Sequence, residues 1–248
     1  MPDLEKPWTD HLEEFRRRLI VCLTVLAVFF AAGLAIHKKL LAVFTRPLQN
    51  LDAPLYFTAP AEGFLVVLKV AFFFALFAAM PFVIWQLWLF VKPGLEKQER
   101  TGVLCVFGAS AILFLFGALF CYFLVLPVAL KFLLGFGSAE FKPLLSVGHY
   151  SSFVGFMILA FAISFNFPLV LLGLAMAGIL TAAWLRHSRK FVVLGIFILA
   201  AILTPSPDVI SQLLLAAPLL LMFEITIFII SLMEKKAVTS LKSSTSEV

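Results

Sequence analysis

The residues best placed for chemistry lie near the start of the chain, in HLEEFRRRL, residues 11–19. Glu13 and Arg17, and Glu14 and Arg18, stand four apart with the acid first, the favourable order on a helix, at about 0.2–0.5 kcal/mol per pair. Asp10 and Glu13 have the spacing of a capping box. The arginines have a further use in orienting an apolar helix in a bilayer. The acids are harder to explain, because carboxylates beside an anionic leaflet are electrostatically unhelpful unless a cation visits. A second acidic spot occurs in FVKPGLEKQERTG, where Glu96 and Glu99 flank Lys97 and the pair Pro93–Gly94 turns the chain. Acids in both places could receive a pair of guanidinium groups. Each ion pair at 4 Å is worth about 4 kcal/mol at an effective dielectric near 20, before desolvation reduces it. A dibasic peptide with an apolar tail would suit such a surface.

Other reactive types are dispersed. His11, His37, His149 and His187 fall in the tail and loops, and neither H-E-x-x-H nor G-x-S-x-G occurs. Cys22, Cys105 and Cys121 lie in apolar runs without C-x-x-C spacing. No catalytic residue, metal ligand set or cofactor is expected, and an enzyme is not. Two polar residues inside apolar runs stand out, Asn166 in SFNFP and Glu224 in MFEIT, since polar groups in lipid usually face a bundle interior or water. Asn166 suits a helix–helix hydrogen bond or a carbonyl freed by Pro168, and equally a functional contact. Glu224 suits an ion pair with a neighbouring helix. Lys69 is expected to extend its amine outward to the interface.

The elements that carry these residues follow from composition. With 62% hydrophobic and 13% charged residues and a mean hydropathy of +1.08, the chain is an integral membrane protein. Continuous apolar runs near 19–36, 63–91, 102–126, 151–180, 191–203 and 209–231 predict six transmembrane helices, since unbroken runs exclude barrel strands. Pro81, Pro127, Pro168 and Pro218 predict kinks. An even number of spans puts both termini on one side. Placing them in the cytoplasm puts 13 of the 19 Lys and Arg residues inside. The net charge of +5 then reflects topology and gives no reason to expect nucleic acid.

The run after Arg18 is too long for a signal-peptide core and lacks an A-x-A site, so a retained first span is expected. The fifth run has 13 residues and covers roughly 20 Å of a hydrocarbon core of about 30 Å. A thinned membrane, snorkelling from WLRHSRK, or a re-entrant hairpin with TPSPDV at its tip would each accommodate it.

HLEEFRRRL resembles the H-L-x-E-L-R-x-R-L signature that opens TatC, the large subunit of the twin-arginine protein translocase. PFVIWQLWLFVKPGLEKQER resembles that family's second span and first cytoplasmic loop, SFNFPLVL its fourth span, and LTPSPDVISQLLLAAPLLLMFEI its last turn and sixth span. The resemblance covers nearly the whole chain in order. It implies an all-α membrane protein with six kinked transmembrane helices, both termini cytoplasmic, forming a concave bundle with short helices five and six. A single membrane domain over 1–235 and a disordered cytoplasmic tail over 236–248 complete the expectation.

The resemblance also implies a receptor in the cytoplasmic (inner) membrane. It would bind twin-arginine signal peptides of folded precursors and assemble with single-span TatA and TatB-type subunits in a homo-oligomeric complex surrounded by lipid, driven by the proton-motive force. The family's signature acids fall on Glu14 and Glu99, its basic positions on Arg16 and Arg18, and its aromatic at the end of the second span on Phe90. Pro47 matches a proline of the first outer loop. Thr204, Asp208 and Gln212 match polar positions of the last turn, Thr204 and Gln212 as a patch for a TatA or TatB helix. At Asn166 the family commonly carries Glu or Gln, so a role that needs an ionising group there does not transfer, whereas hydrogen bonding does. The alternative is a polytopic solute or ion transporter, disfavoured by the lack of an internal repeat and of a buried ionisable path.

Overall fold

The computed structural model of the chain describes residues 8–49, 54–91, 100–135, 144–176, 178–203 and 209–245. The elements in order are α1 (Trp8–Ala35), α2 (His37–Thr45), a 3-10 turn (Arg46–Leu48), β1 (Leu55–Tyr56), α3 (Glu62–Val91), α4 (Arg100–Phe120), one turn of π-helix (Cys121–Val125), α5 (Leu126–Gly135), β2 (Leu145–Ser146), α6 (Val147–Ser164), α7 (Phe167–Met176), α8 (Ala182–His187), α9 (Arg189–Leu203) and α10 (Val209–Thr245). Among the described residues, five stretches are long and apolar enough to cross a membrane: Leu12–Ala35, Glu62–Phe90, Leu104–Gly135, Val147–Met176 and Val209–Lys235. In chain order α9 is the short fifth helix. Its 15 residues reach about 22 Å.

Three boundaries differ from the sequence expectation. α1 is described from Trp8, so Asp10 lies within the helix instead of at its cap. The sixth helix is not short, because its apolar window extends over 27 residues to Lys235. It continues as helix to Thr245, so the segment expected as a disordered tail is helical up to that residue. The Leu, Met, Glu, Lys and Ala of SLMEKKA are strong helix formers, which carries the helix past the apolar run.

The prolines act in two ways. Pro127 follows the π-turn Cys121–Val125, a local widening that accommodates the missing backbone donor. Pro168 follows a break at Phe165 and Asn166 that separates α6 from α7. α3 and α10 continue through Pro81 and Pro218.

The chain divides into two compact units, Met1–Ile112 with Leu130–Gly155, and Leu113–Ala129 with Phe156–Val248. In the first, α1 lies along α3. Gly33 permits the approach, since a Cβ there would be 3.1 Å from the Ala71 carbonyl oxygen and 3.0 Å from the Phe74 ring. Val66, Val70, Phe73 and Trp88 form the buried face of α3, and the Tyr150 hydroxyl ties α6 to α2 by donating to the Phe44 carbonyl at 2.8 Å. β1 and β2 pair in parallel, Leu55 with Leu145 and Tyr56 with Ser146. In the second unit, Leu215, Leu219, Phe223 and Ile227 run along the buried face of α10 at helical spacing, and α10 packs against α7, α8 and α9.

Candidate functional site: an arginine-centred cluster between α1 and α3

Four-residue spacing brings Glu14 and Arg18 onto one face of α1, and that face meets the C-terminal end of α3. Arg18 Nη2 lies 2.5 Å from Glu14 Oε1, and Arg18 Nε donates to the same oxygen at 3.1 Å. The guanidinium also reaches across to α3, where Nη1 donates to Gln86 Oε1 at 3.2 Å and Nη2 to the Leu89 carbonyl at 3.0 Å. Leu89 is in the last turn of α3, whose final carbonyls have no intrahelical donor and favour a cation. Both charged side chains are about three-quarters buried, at 22% and 26% exposure for Arg18 and Glu14. One residue along, Phe15 meets Phe90 edge-on, with ring centroids 5.9 Å apart. Glu14 and Phe90 are therefore neighbours in one cluster, while Arg16 is exposed. Glu99 lies outside the described residues.

At the opposite end of α3, Glu62 is buried. Its Oε1 accepts from the Ser146 hydroxyl and from the Gly148 amide, the latter at 2.6 Å. Its Oε2 accepts from the Thr58 amide, from the Thr58 hydroxyl at 2.8 Å and from the Ala59 amide at 3.3 Å. Five donors converge on one carboxylate and fasten the loop after β1 to the start of α6. Pro47 sits in the 3-10 turn before that loop. Lys69 donates to Ser152 Oγ on α6 at 2.9 Å.

In the second unit the polar residues are held within the fold. Asn166 Nδ2 donates back to the Ala162 carbonyl of α6 at 2.9 Å. Gln212 Nε2 donates to the Phe197 carbonyl, joining α10 to α9, at 2.9 Å. Glu224 pairs with Arg189 at 2.6 Å, the ion pair with a neighbouring helix expected for an acid in a span. Beside Gln212, Leu213 contributes to an apolar groove of about 630 Å³ whose walls include Phe116, Phe120, Phe165 and Leu221. Thr204 and Asp208 lie outside the described residues. Among the described residues no three His, Cys, Asp or Glu side chains gather as a metal site would need.

Residues 10–218 match the family described as Sec-independent protein translocase protein (TatC). The chain belongs to the TatC family. The TatC of Carboxydothermus hydrogenoformans is 38% identical over 236 residues, covering 94% of this chain and 96% of that protein. The TatC of Aquifex aeolicus is 37% identical over 236 residues, covering 93% and 97%. A solved structure, described as the crystal structure of the twin-arginine translocase receptor TatC, superposes with a TM-score of 0.78 at 36% identity, covering 90% of this chain and 98% of that one.

The chain is thus a multi-pass membrane component of a Sec-independent protein translocase, a TatC-type subunit that works in a complex with other Tat subunits. The family is one of protein translocation, which leaves the solute-transporter alternative without support. Two residues of the described site were not singled out by their sequence. Gln86 reads as an interfacial polar residue near the end of an apolar run. Glu62 reads as an acid complementing a helix N-terminus, and its α6-side partners are 84 and 86 residues away.

Proposed function

We propose that this TatC-family chain is the signal-peptide receptor of a twin-arginine translocation system, lying in the cytoplasmic membrane with both termini inside. Glu14 takes one guanidinium of the arginine pair, and Glu99 supplies the second carboxylate. Phe90, packed on Phe15, lies beside the apolar segment that follows the pair, and Arg16 anchors the tail at the interface. The observation that carries this reading is Glu14 itself, a carboxylate about three-quarters buried that already accepts two N–H donors of one guanidinium at a single oxygen. Gln212 and the apolar groove next to it support the docking of a single-span TatA or TatB-type helix there, with Thr204 completing the polar patch. The receptor complex is homo-oligomeric, and transport of the folded precursor draws on the proton-motive force.

Site-specific cross-linking of a twin-arginine signal peptide to the protein in membranes tests the reading. Glu14→Ala, Glu99→Ala and the double substitution are compared with wild type, and the natural peptide with a Lys-Lys version. Loss of arginine-dependent cross-links with expression intact is the expected result. Cross-linking indifferent to both glutamates and to the Lys-Lys change overturns it.

A further inference from the structure

In the receptor as it stands, the place of a ligand guanidinium on Glu14 is taken by one of the protein's own. Arg18 donates twice to Glu14 Oε1, through Nε at 3.1 Å and Nη2 at 2.5 Å. Its remaining hydrogen bonds go to α3, to Gln86 Oε1 at 3.2 Å and the Leu89 carbonyl at 3.0 Å. The two sets differ in their acceptors. The bonds to Glu14 join opposite charges and are of the kind an incoming arginine would make. The bonds to α3 are to neutral acceptors, one of them a helix-end carbonyl that favours a cation whatever happens at Glu14.

We propose that Arg18 is an internal arginine that a signal-peptide arginine displaces from Glu14, and that Gln86, with the Leu89 carbonyl, is the positioning residue that holds Arg18 during the exchange. The inference rests on Glu14 being the peptide's acceptor. The displacement sets a threshold that an open carboxylate would not. Releasing Arg18 costs the same whichever cation enters, so every ligand is weakened by one factor, and only a ligand that bonds Glu14 strongly in the exchanged state overcomes it. An arginine restores both donated bonds, whereas lysine presents a compact charge without the planar set of donors. The exchange of guanidinium for guanidinium leaves the charge at Glu14 unchanged. The cation set free stays at the end of α3, where a buried charge without partners would otherwise be costly. Gln86 does for Arg18 what a backbone carbonyl alone cannot, since it accepts from Nη1 while Leu89 accepts from Nη2.

The experiment measures Kd for Arg-Arg and Lys-Lys signal peptides with the full-length protein in lipid nanodiscs, each variant being checked by its unfolding midpoint. Arg18→Gln is expected to tighten Arg-Arg and Lys-Lys binding alike, by about tenfold each, because the internal competitor is gone while the contacts of the bound state remain. Arg18→Lys, which keeps a cation at the end of α3 but gives up the two-donor hold on Glu14, tightens both in the same direction and serves if the glutamine variant does not fold. Gln86→Leu weakens Arg-Arg binding about tenfold, and adding Arg18→Gln abolishes that effect, because there is then no guanidinium to hold. A purely structural glutamine would weaken binding equally in both backgrounds, and that result overturns the proposal, as does an unchanged affinity for both peptides in both Arg18 variants. Glu14→Gln separates the two levels. If it leaves Arg-Arg binding intact, Glu14 is not the acceptor and both the receptor site and the exchange fall. If it weakens Arg-Arg binding while the Arg18 and Gln86 results fail, the exchange alone is wrong.

Discussion

Arg189, the first residue of α9, and Glu224, well inside the apolar stretch of α10, meet with 2.6 Å between Nη2 and Oε2. Glu224 stands eleven residues before Lys235, about 16 Å along the helix axis. The pair therefore binds the beginning of the short helix to a point far from the end of the long one. Arg186 and Ala182 continue the attachment in α8, Arg186 donating to Ser231 at 3.2 Å and the Ala182 amide to Glu234 at 2.9 Å. These contacts bring α8 and the start of α9 down one side of α10.

An exposed ion pair in water contributes at most about 1 kcal/mol, so in detergent either single substitution, Arg189→Ala or Glu224→Ala, is expected to cost little. In a bilayer the abandoned charge has lipid for a neighbour and the cost rises. Unfolding midpoints measured in detergent and in nanodiscs should therefore diverge for the single variants. The exchanged pair, Arg189→Glu with Glu224→Arg, should recover most of the loss in nanodiscs. Equal midpoints in both media would mean that the pair faces water.

Helix contact in the first unit depends on the absence of a side chain at residue 155. A Cβ on Gly155 would fall 2.1 Å from Cε2 of Phe73, whose ring is only 4% exposed. Gly155→Ala must displace that ring or part α6 from α3, at a cost of about 1–3 kcal/mol. Thermal unfolding should show a lower midpoint, and Phe73→Leu in the same chain should return part of it by clearing the space. Additive losses in the double variant would refute the steric account.

Asn166 compensates a local defect in the backbone. Pro168 has no N–H to offer the Ser164 carbonyl, and the chain tightens there, with the Asn166 amide bonding to the Ile163 carbonyl at 3.0 Å. The Ala162 carbonyl, deprived of that amide, receives the Asn166 side chain instead. Asn166→Ala is expected to cost about 1 kcal/mol, the worth of one neutral hydrogen bond, read as a midpoint drop of a few degrees. A gain in stability would show that the side chain is retained at a structural cost.

How far these features were legible follows from the range of the forces involved. The spans were legible because apolar runs report directly on lipid. The Glu14–Arg18 pair was legible because its members lie four residues apart, within the helix repeat, whereas Asn166 serves the Ala162 carbonyl and not the Ser164 carbonyl that Pro168 frees. Gln86 and Glu62 were not legible, since their roles depend on partners brought in by tertiary packing. The strands β1 and β2 have two residues each, too few for any alternation to register. The length of α10 beyond Lys235 was hidden because polar residues read as the end of a span, although they need not end a helix.

Glu62 offers a test at the loops linked by that short parallel pair. With Ser146, Gly148, Thr58 and Ala59 all donating to its carboxylate, each oxygen faces a backbone N–H that can only donate, so the ionised acid is the form that fits. Glu62→Gln is nearly the same size but turns an NH2 group toward donors, which leaves at least one buried donor without an acceptor. The β1–β2 pairing should then loosen. Cysteines introduced at Leu55 and Leu145, which pair directly across the sheet, report on this. A disulfide should form readily on mild oxidation when Glu62 is present and much more slowly when Glu62→Gln is added. Glu62→Asp, whose shorter stem cannot reach both loops at once, should behave like the glutamine variant. Unchanged disulfide formation in both would mean that the strand pair holds without the carboxylate, and that the five hydrogen bonds merely satisfy an acid stationed there for another reason.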